Sequence, residues 1–500
     1  MSKFSVILDC YTDEPSGYGV PPYIGTHQLH LSQALAHTKN EHFYLTIDDL
    51  REEEECSSAT NKRIANRTKN YPEAAKLLKE ADTIFIICGC FVDYEYFCAE
   101  PPKAEEILNA ISDSAATKVL FFVMGNTKRS DLDPGFQKLA SLVDVVKYGN
   151  TYRTILEPAS AGHLLDPNYQ ALEEISRTPA PLLEQIDRDL IVEIETGTGC
   201  NTPFCTFCIE AARAPKVTYR EPQSIVAQVS TFYSQGVRRF RLGRQPNFFH
   251  YQNASCDKLE ELLLGIRSSC PTIKTLHIDN VNIINVIGKV GKRFTQLVAS
   301  HCTSGNIAPF GIESFDNNVR QLNGVVGSAD QVLRAVEIIN EYGSQRGEDG
   351  YPRFLPGVNL IHGLKGHSER SHEENLRNLG KIYELGLQTR RLYYRPVASN
   401  EGTTFSNNHT NMSQYESERQ DIVSEFVIPM QERVFPAGTI LKGLTDFYYK
   451  EGSTYLRSVG TCPPRVRIAD EMVKPSFDGV DVRINSSAGE RLLDAGLVNQ

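Results

Sequence analysis

A chain of 500 residues with 40% hydrophobic and 23% charged residues has the composition of a globular protein with a sizeable core, roughly two to four domains long, which excludes a fibrous or low-complexity polymer. The 62 acidic against 52 basic residues leave a net charge of −10, which argues against chain-wide attraction to nucleic acid and leaves a local basic patch open. Twelve cysteines are too sparse for a disulfide scaffold, and no apolar run approaches the roughly 18 residues of a membrane-spanning helix.

The chain opens on Lys3–Asp9 (KFSVILD), which lacks the basic and apolar regions of a signal peptide and reads as a first β-strand; a cytoplasmic protein is expected. Thr83–Cys88 (TIFIIC) and Lys118–Met124 (KVLFFVM) are continuous apolar runs, and Val143–Tyr148 is a weaker one. Such runs between helical segments predict buried parallel strands, so residues 1–150 are expected to form a Rossmann-like α/β domain. Gly17, Gly19, Pro21 and Pro22 lack the G-x-G-x-x-G dinucleotide spacing, and no D-x-H-x-x-G cobalamin motif is found. Cys10, Cys88 and Cys90 stand at strand ends and could invite a second cluster, but the next strand end carries Gly125-Asn126 and no cysteine, and buried or partly exposed thiols are the better reading for Cys88 and Cys90. Residues 151–185, with Pro158, Pro167, Pro179 and Pro181, read as a connecting segment.

Residues 186–430 alternate more regularly. Strands are expected at Leu190–Thr196, Arg238–Gly243, Thr275–Asp279, Ile307–Ile312, Gly357–Ile361 and Arg391–Arg395. Between them, apolar residues recur at helical spacing: Ile225, Val229 and Phe232; Leu259, Leu262, Leu263 and Ile266; Val286, Val290, Phe294 and Leu297; Val332, Val336 and Ile339; Leu376, Leu379 and Ile382. Six βα units predict a partial (β/α)6 barrel with its chemistry at the C-terminal strand ends. Residues 431–500 show no long helix pattern and read as a small, irregular C-terminal domain.

The chemistry concentrates just after the first barrel strand, in Cys200-Asn-Thr-Pro-Phe-Cys205-Thr-Phe-Cys208, preceded by a Gly-rich turn. Three thiolates can ligate three irons of a [4Fe–4S] cube, whose usual complement is four cysteines, leaving one iron open. A zinc-containing binding module is the alternative of another class. It would need a fourth Cys or His, and the nearest, His250 and Cys256, form no second C-x2-C pair.

A cysteine loop after a strand, with Phe207 directly before its last cysteine, resembles the radical S-adenosylmethionine (SAM) superfamily, although the spacing is C-x4-C-x2-C where C-x3-C-x2-C is usual. The segments 238–251, 276–282, 310–319, 355–366 and 390–397, the opening 8–25 and the stretch 438–484 resemble an uncharacterised, largely archaeal radical SAM family with an N-terminal Rossmann-like domain. Many of its members end in a helix-hairpin-helix, which is not evident here, so nucleic-acid binding through that element is not supported.

The resemblance implies a [4Fe–4S] cluster on Cys200, Cys205 and Cys208, SAM as cosubstrate, a ferredoxin- or flavodoxin-type electron donor, and hydrogen abstraction from an unknown substrate by a 5′-deoxyadenosyl radical. Glu313, with Ser314 beside it, falls where an acidic residue commonly meets the SAM ribose. Gly243 and Arg244 replace the Gly-Gly-Glu motif that meets the SAM amino group. Asp279, Asn280 and Asn282, then Asn359 and His362, then Arg391 and Arg395 end later strands and are candidates for the barrel mouth. A methylthiotransferase or a cobalamin-type methyltransferase acting on RNA or a metabolite is the alternative within the superfamily.

Overall fold

The computed structural model describes residues 3–11, 22–51, 66–89, 101–123, 134–158, 163–164, 167–208, 210, 214, 216–397, 411–469, 473 and 479–498. Gly17, Gly19, Pro21, Cys90, Gly125 and Asn126 lie outside them. The chain forms two compact units, 1–194 with 223–240 and 195–222 with 241–500.

The first unit contains a parallel sheet built from β1 (Phe4–Asp9), β3 (Glu41–Thr46), β4 (Thr83–Cys88), β5 (Thr117–Phe122), β6 (Val145–Gly149) and β7 (His163–Leu164), in the order β3-β1-β4-β5-β6-β7. Its central strands are buried on both faces, which is why they read as unbroken apolar runs. Val6, Leu8, Ile84, Ile86, Leu120 and Phe122 point one way, into a core shared with Leu77, Ile107 and Leu139 of the flanking helices. The edge strand β3 escapes sequence reading because EHFYLT has only a short apolar stretch. A short strand, β2 (Tyr23–Ile24), pairs in parallel with the start of β8 (Ile191–Glu195). At the end of β1 the buried Asp9 carboxylate accepts from Tyr44 Oη (2.6 Å), Gln28 Nε2 (2.9 Å) and the Tyr11 amide (2.8 Å). Burial outweighs these donors and pushes its carboxyl up to about 6.

The six strands expected of the barrel are β8, β11 (Arg239–Gly243), β12 (Thr275–Ile278), β13 (Asn306–Glu313), β14 (Phe354–His362) and β15 (Arg391–Pro396), and their C-terminal ends all lie in the second unit. Those ends are linked in order. The Thr196 amide donates to the Gly243 carbonyl (3.1 Å), Arg241 pairs with Asp279, Val281 bridges to Phe310, and β13, β14 and β15 pair in parallel. Along β14 and β15 the faces alternate. Val358, Leu360, Leu392 and Tyr394 are buried, whereas Asn359, Tyr393 and Arg395 stand on a partly open face.

Two expectations need correction. The helix read through Val286–Leu297 is two helices, Ile283–Ile287, which ends at Gly288 in extended backbone, and Gly291–His301, whose first residue lies against the Val286 carbonyl where a side chain would not fit. Residues 431–500 are not irregular. They contain β16 (Ile440–Leu444), β17 (Asp446–Lys450), β18 (Ser453–Arg457), β19 (Arg465–Ile468), β20 (Val480–Gly489) and β21 (Leu492–Leu497), in the order β16-β20-β21-β19-β18-β17. Along β18, β19 and the start of β20 alternate residues are buried, namely Thr454, Leu456, Val466, Ile468, Val482 and Ile484. The segment between β18 and β19 meets the N-terminal ends of barrel strands. Thr275 Oγ1 donates to the Val459 carbonyl (3.0 Å), His277 Nδ1 lies 3.0 Å from Thr461 Oγ1, and Arg391 Nη1 reaches Cys462 Sγ (3.3 Å).

Candidate active site at the barrel mouth

The cysteine loop is pinned at both ends. Strands β9 (Gly197–Thr198) and β10 (Thr218–Tyr219) pair antiparallel and bring residues 198 and 218 together, with their hydroxyls 3.0 Å apart. Gly199 sits at φ +83°, where an added Cβ would stand 2.2 Å from the Lys216 carbonyl oxygen, so only glycine closes this turn. Across the loop, Gly324 at φ +66° is equally constrained by the Phe204 carbonyl. Thr206 donates from its amide to the Asn323 carbonyl (3.0 Å), and Cys205 Sγ lies 3.8 Å from the Gly324 carbonyl.

The three thiols are free, partly buried and close enough to feel one another's charge. Burial, then the Glu313 charge and the neighbouring sulfurs, push Cys205 up to about 12. Burial likewise pushes Cys208 up to about 11, although a backbone hydrogen bond at Glu210 opposes it. Three thiolates on one loop give one ligand to each of three irons of a cube, whereas a structural zinc site takes four Cys or His ligands.

A chain of asparagines braces the loop from the neighbouring strand ends. Asn247 Nδ2 donates to Asn201 Oδ1 (2.9 Å) and to Asn285 Oδ1 (2.8 Å), and Asn282 Nδ2 donates to Thr202 Oγ1 (3.1 Å). Asn282 also caps the helix Ile283–Ile287, and the Asn280 carbonyl accepts from the Phe248 amide (2.8 Å). Asp279 is committed to its buried pair with Arg241. Of the sequence candidates, Asp279 and Asn282 therefore hold the mouth together by contacts within the protein.

Gly243 is at the end of β11, and its carbonyl takes both the amide and the hydroxyl of Thr196, each at 3.1 Å. Arg244 follows at φ +62°, with Nε 4.0 Å from the buried Glu195 carboxylate. Glu313 is likewise in left-handed backbone, φ +64°, after a bulge at the end of β13. Its side chain lies over Gly311, where a Cβ would meet Oε1 at 2.7 Å. Burial pushes the Glu313 carboxyl up to about 7, against the opposing pull of Arg320 and Arg395. Backbone strain of ~1–3 kcal/mol held at such positions is typical of working sites.

Ser314 turns inward. It accepts from the Asp316 amide (3.1 Å) and shapes the strand-to-helix turn rather than opening onto the mouth. The fully buried Arg320 clamps the same turn, donating to the carbonyls of Ile312, Ser314 (3.1 Å), Val326 and Gly327 (2.9 Å). Asn359 Oδ1 accepts from Arg391 Nη2 at 3.4 Å. The guanidinium carbons of Arg391 and Arg395 lie 3.5 and 4.5 Å from the centre of the Tyr393 ring, and Arg491 Nη1 donates to its hydroxyl (3.0 Å). His362 does not share this face; it points to the opposite, buried side of β14. Sequence reading missed Arg320, Arg491, Asn201, Asn247 and Asn285, which signal nothing until distant segments meet.

Comparison with known proteins agrees with this architecture. A radical SAM methyltransferase, TsrM from Kitasatospora setae, superposes with a TM-score of 0.50 at 14% identity, over 79% of this chain and 73% of that one. The cobalamin-dependent SAM radical enzyme OxsB superposes with a TM-score of 0.50 at 11% identity, over 84% of this chain and 55% of that one. The fold is that of the radical SAM enzymes. The uncharacterized protein MJ0274 of Methanocaldococcus jannaschii is 31% identical over 96% of this chain and 91% of its own length, and this chain belongs to the same family. An uncharacterized protein of Archaeoglobus fulgidus is 28% identical over 96% of this chain. No family model matches the chain.

Proposed function

We propose that this protein is a radical SAM enzyme in which Cys200, Cys205 and Cys208 hold a [4Fe–4S] cluster. The observation that carries the reading is three free, partly buried thiols on one clamped loop, directly after the first of the six strands whose C-terminal ends lie in the second unit. When bound, the cluster supplies the electron, received from a ferredoxin- or flavodoxin-type donor, that cleaves SAM and releases a 5′-deoxyadenosyl radical. The chain's own residues position the reactants. Glu313, aimed over Gly311, accepts the ribose hydroxyls of SAM, and Arg244 with Glu195 lines the opposite strand ends. Asn359, Tyr393 and Arg395 line the open face of β14 and β15, where the guanidinium groups suit a substrate bearing a phosphate or carboxylate. Among the described residues no helix is long and apolar enough to cross a membrane. The test is anaerobic reconstitution followed by dithionite and SAM. Release of 5′-deoxyadenosine is expected; a colourless, iron-free protein would refute the reading.

A second reading, cobalamin-dependent methyl transfer, draws on the N-terminal sheet. Its order places the first strand between the second and third long strands, a topology that leaves a ligand crevice at the ends of β1 and β4. Corrin retained after expression with cobalamin would favour this reading, and corrin-free protein that still cleaves SAM would favour the first.

A further inference from the structure

We propose that His362, His367 and Glu418 form a second, mononuclear metal site, which holds a zinc-class divalent cation by two imidazole nitrogens and one carboxylate oxygen. Among the described residues these three form the one group of His, Cys, Asp or Glu side chains whose ligand atoms all lie within 4.8 Å of one another. His362 Nδ1 is 2.9 Å and His367 Nε2 3.1 Å from Glu418 Oε2. Bonds of ~2.0–2.2 Å in tetrahedral geometry place neighbouring ligand atoms ~3.3 Å apart, so a cation enters between these groups with only small side-chain shifts.

The surroundings suit a bound cation. Glu418 is 4% exposed and His362 2%, on the buried side of β14 and β15, away from the cysteine loop's open face. The partners of Glu418 are His362, His367, Tyr394 and Gln414, the last donating at 2.9 Å; none is a lysine or arginine. A buried carboxylate facing imidazoles, a phenol and an amide is stabilised by a positive ion at their convergence. Gln414 and Tyr394 supply the outer hydrogen bonds that orient a ligating carboxylate, and Tyr394 Oη lies 3.0 Å from His362 Nδ1. Two imidazoles and a carboxylate select zinc over manganese and ferrous iron by intrinsic affinity.

Such a site joins three pieces of chain that are distant in sequence: the end of β14, the loop carrying His367, and the helix Met412–Ile422 carrying Glu418. Between the two histidines, Lys365 exchanges hydrogen bonds with Asn323 (2.9 and 3.3 Å), and the Asn323 carbonyl accepts from the cysteine loop at Thr206. Metal occupancy therefore stiffens the support on which the cysteine loop rests, without taking part in its chemistry.

The test uses the full chain with Cys200, Cys205 and Cys208 replaced by serine, which removes the competing thiolates, stripped with EDTA and then loaded with zinc. About one equivalent of zinc surviving gel filtration, measured by plasma mass spectrometry, and a raised Tm are expected. Glu418→Gln should weaken zinc binding roughly 100-fold or more, beyond the 10–100-fold typical of outer-shell changes. Cobalt in place of zinc should give visible bands without sulfur-to-cobalt charge transfer. If the serine background or Glu418→Gln fails to fold, zinc measured beside iron in reconstituted wild type and His367→Gln gives the same comparison. Folded protein that retains no zinc, or zinc retained by Glu418→Gln and His367→Gln as fully as by the protein without these changes, would overturn the proposal and leave a purely hydrogen-bonded cluster.

Discussion

Gly324→Ala should empty the cysteine loop of iron without unfolding the barrel. Gly324 sits at φ +66°, where alanine costs ~1–2 kcal/mol, and its new Cβ would lie 2.0 Å from the Phe204 carbonyl oxygen, about 1.4 Å short of ordinary contact. Phe204 precedes Cys205, whose sulfur lies against the Gly324 carbonyl, so the loop must retreat with one of its ligands. A displacement of ~1 Å at a reacting centre costs ~100-fold in rate. Gly386→Ala separates the two effects, because Gly386 has φ +73° and open space around it. Both variants should lose roughly 2–8 °C of Tm from backbone strain. Only Gly324→Ala should also fall well below the about four irons per chain of reconstituted wild type. Equal iron in the two variants would refute the argument that this glycine seats the cluster loop.

Three further outcomes follow. Cluster assembly should proceed further at pH 9 than at pH 7, because ligation requires thiolates and Cys205 and Cys208 hold their protons up to about 12 and 11; iron incorporation that falls with rising pH would count against these ligands. Glu313→Gln should leave iron content unchanged while weakening SAM binding roughly 10–100-fold through loss of charge-assisted hydrogen bonds, measured by the KM for SAM; an unchanged KM would remove Glu313 from the SAM site. In the N-terminal unit, the Asp9 carboxyl is raised from 3.8 to about 6, so its relative stabilisation is complete below pH 3.8 and is lost as pH rises through 6, on the order of 3 kcal/mol. Asp9→Asn should flatten that slope in urea titrations followed by circular dichroism between pH 5 and 7, and an unaltered slope would mean another group is responsible.

The barrel strands are legible because each carries a local signature, an apolar face within a short run. Their boundaries drift where a local cue misleads: β14 begins at Phe354, before the Pro356-Gly357 pair that reads as a break. The C-terminal sheet is hidden for the opposite reason. Strands such as STYLR and RVRI bury only every second residue, so they lack the continuous apolar run that marks the parallel strands. The three cysteines are legible as local spacing, and Glu313 as a strand end. The asparagine brace joins Asn201, Asn247, Asn282 and Asn285 from three separate segments, and His362 meets Glu418 across 56 residues. Such constellations exist only after the chain has folded, and no single segment announces them.

The central claim is that three thiolates hold a cube whose fourth iron is open to SAM. Electron paramagnetic resonance of the dithionite-reduced protein, recorded before and after SAM is added, tests it most directly. The account predicts a cluster signal in wild type that changes on SAM addition and is absent from Cys205→Ala. A wild-type spectrum indifferent to SAM, or an undiminished cluster signal in Cys205→Ala, would contradict it.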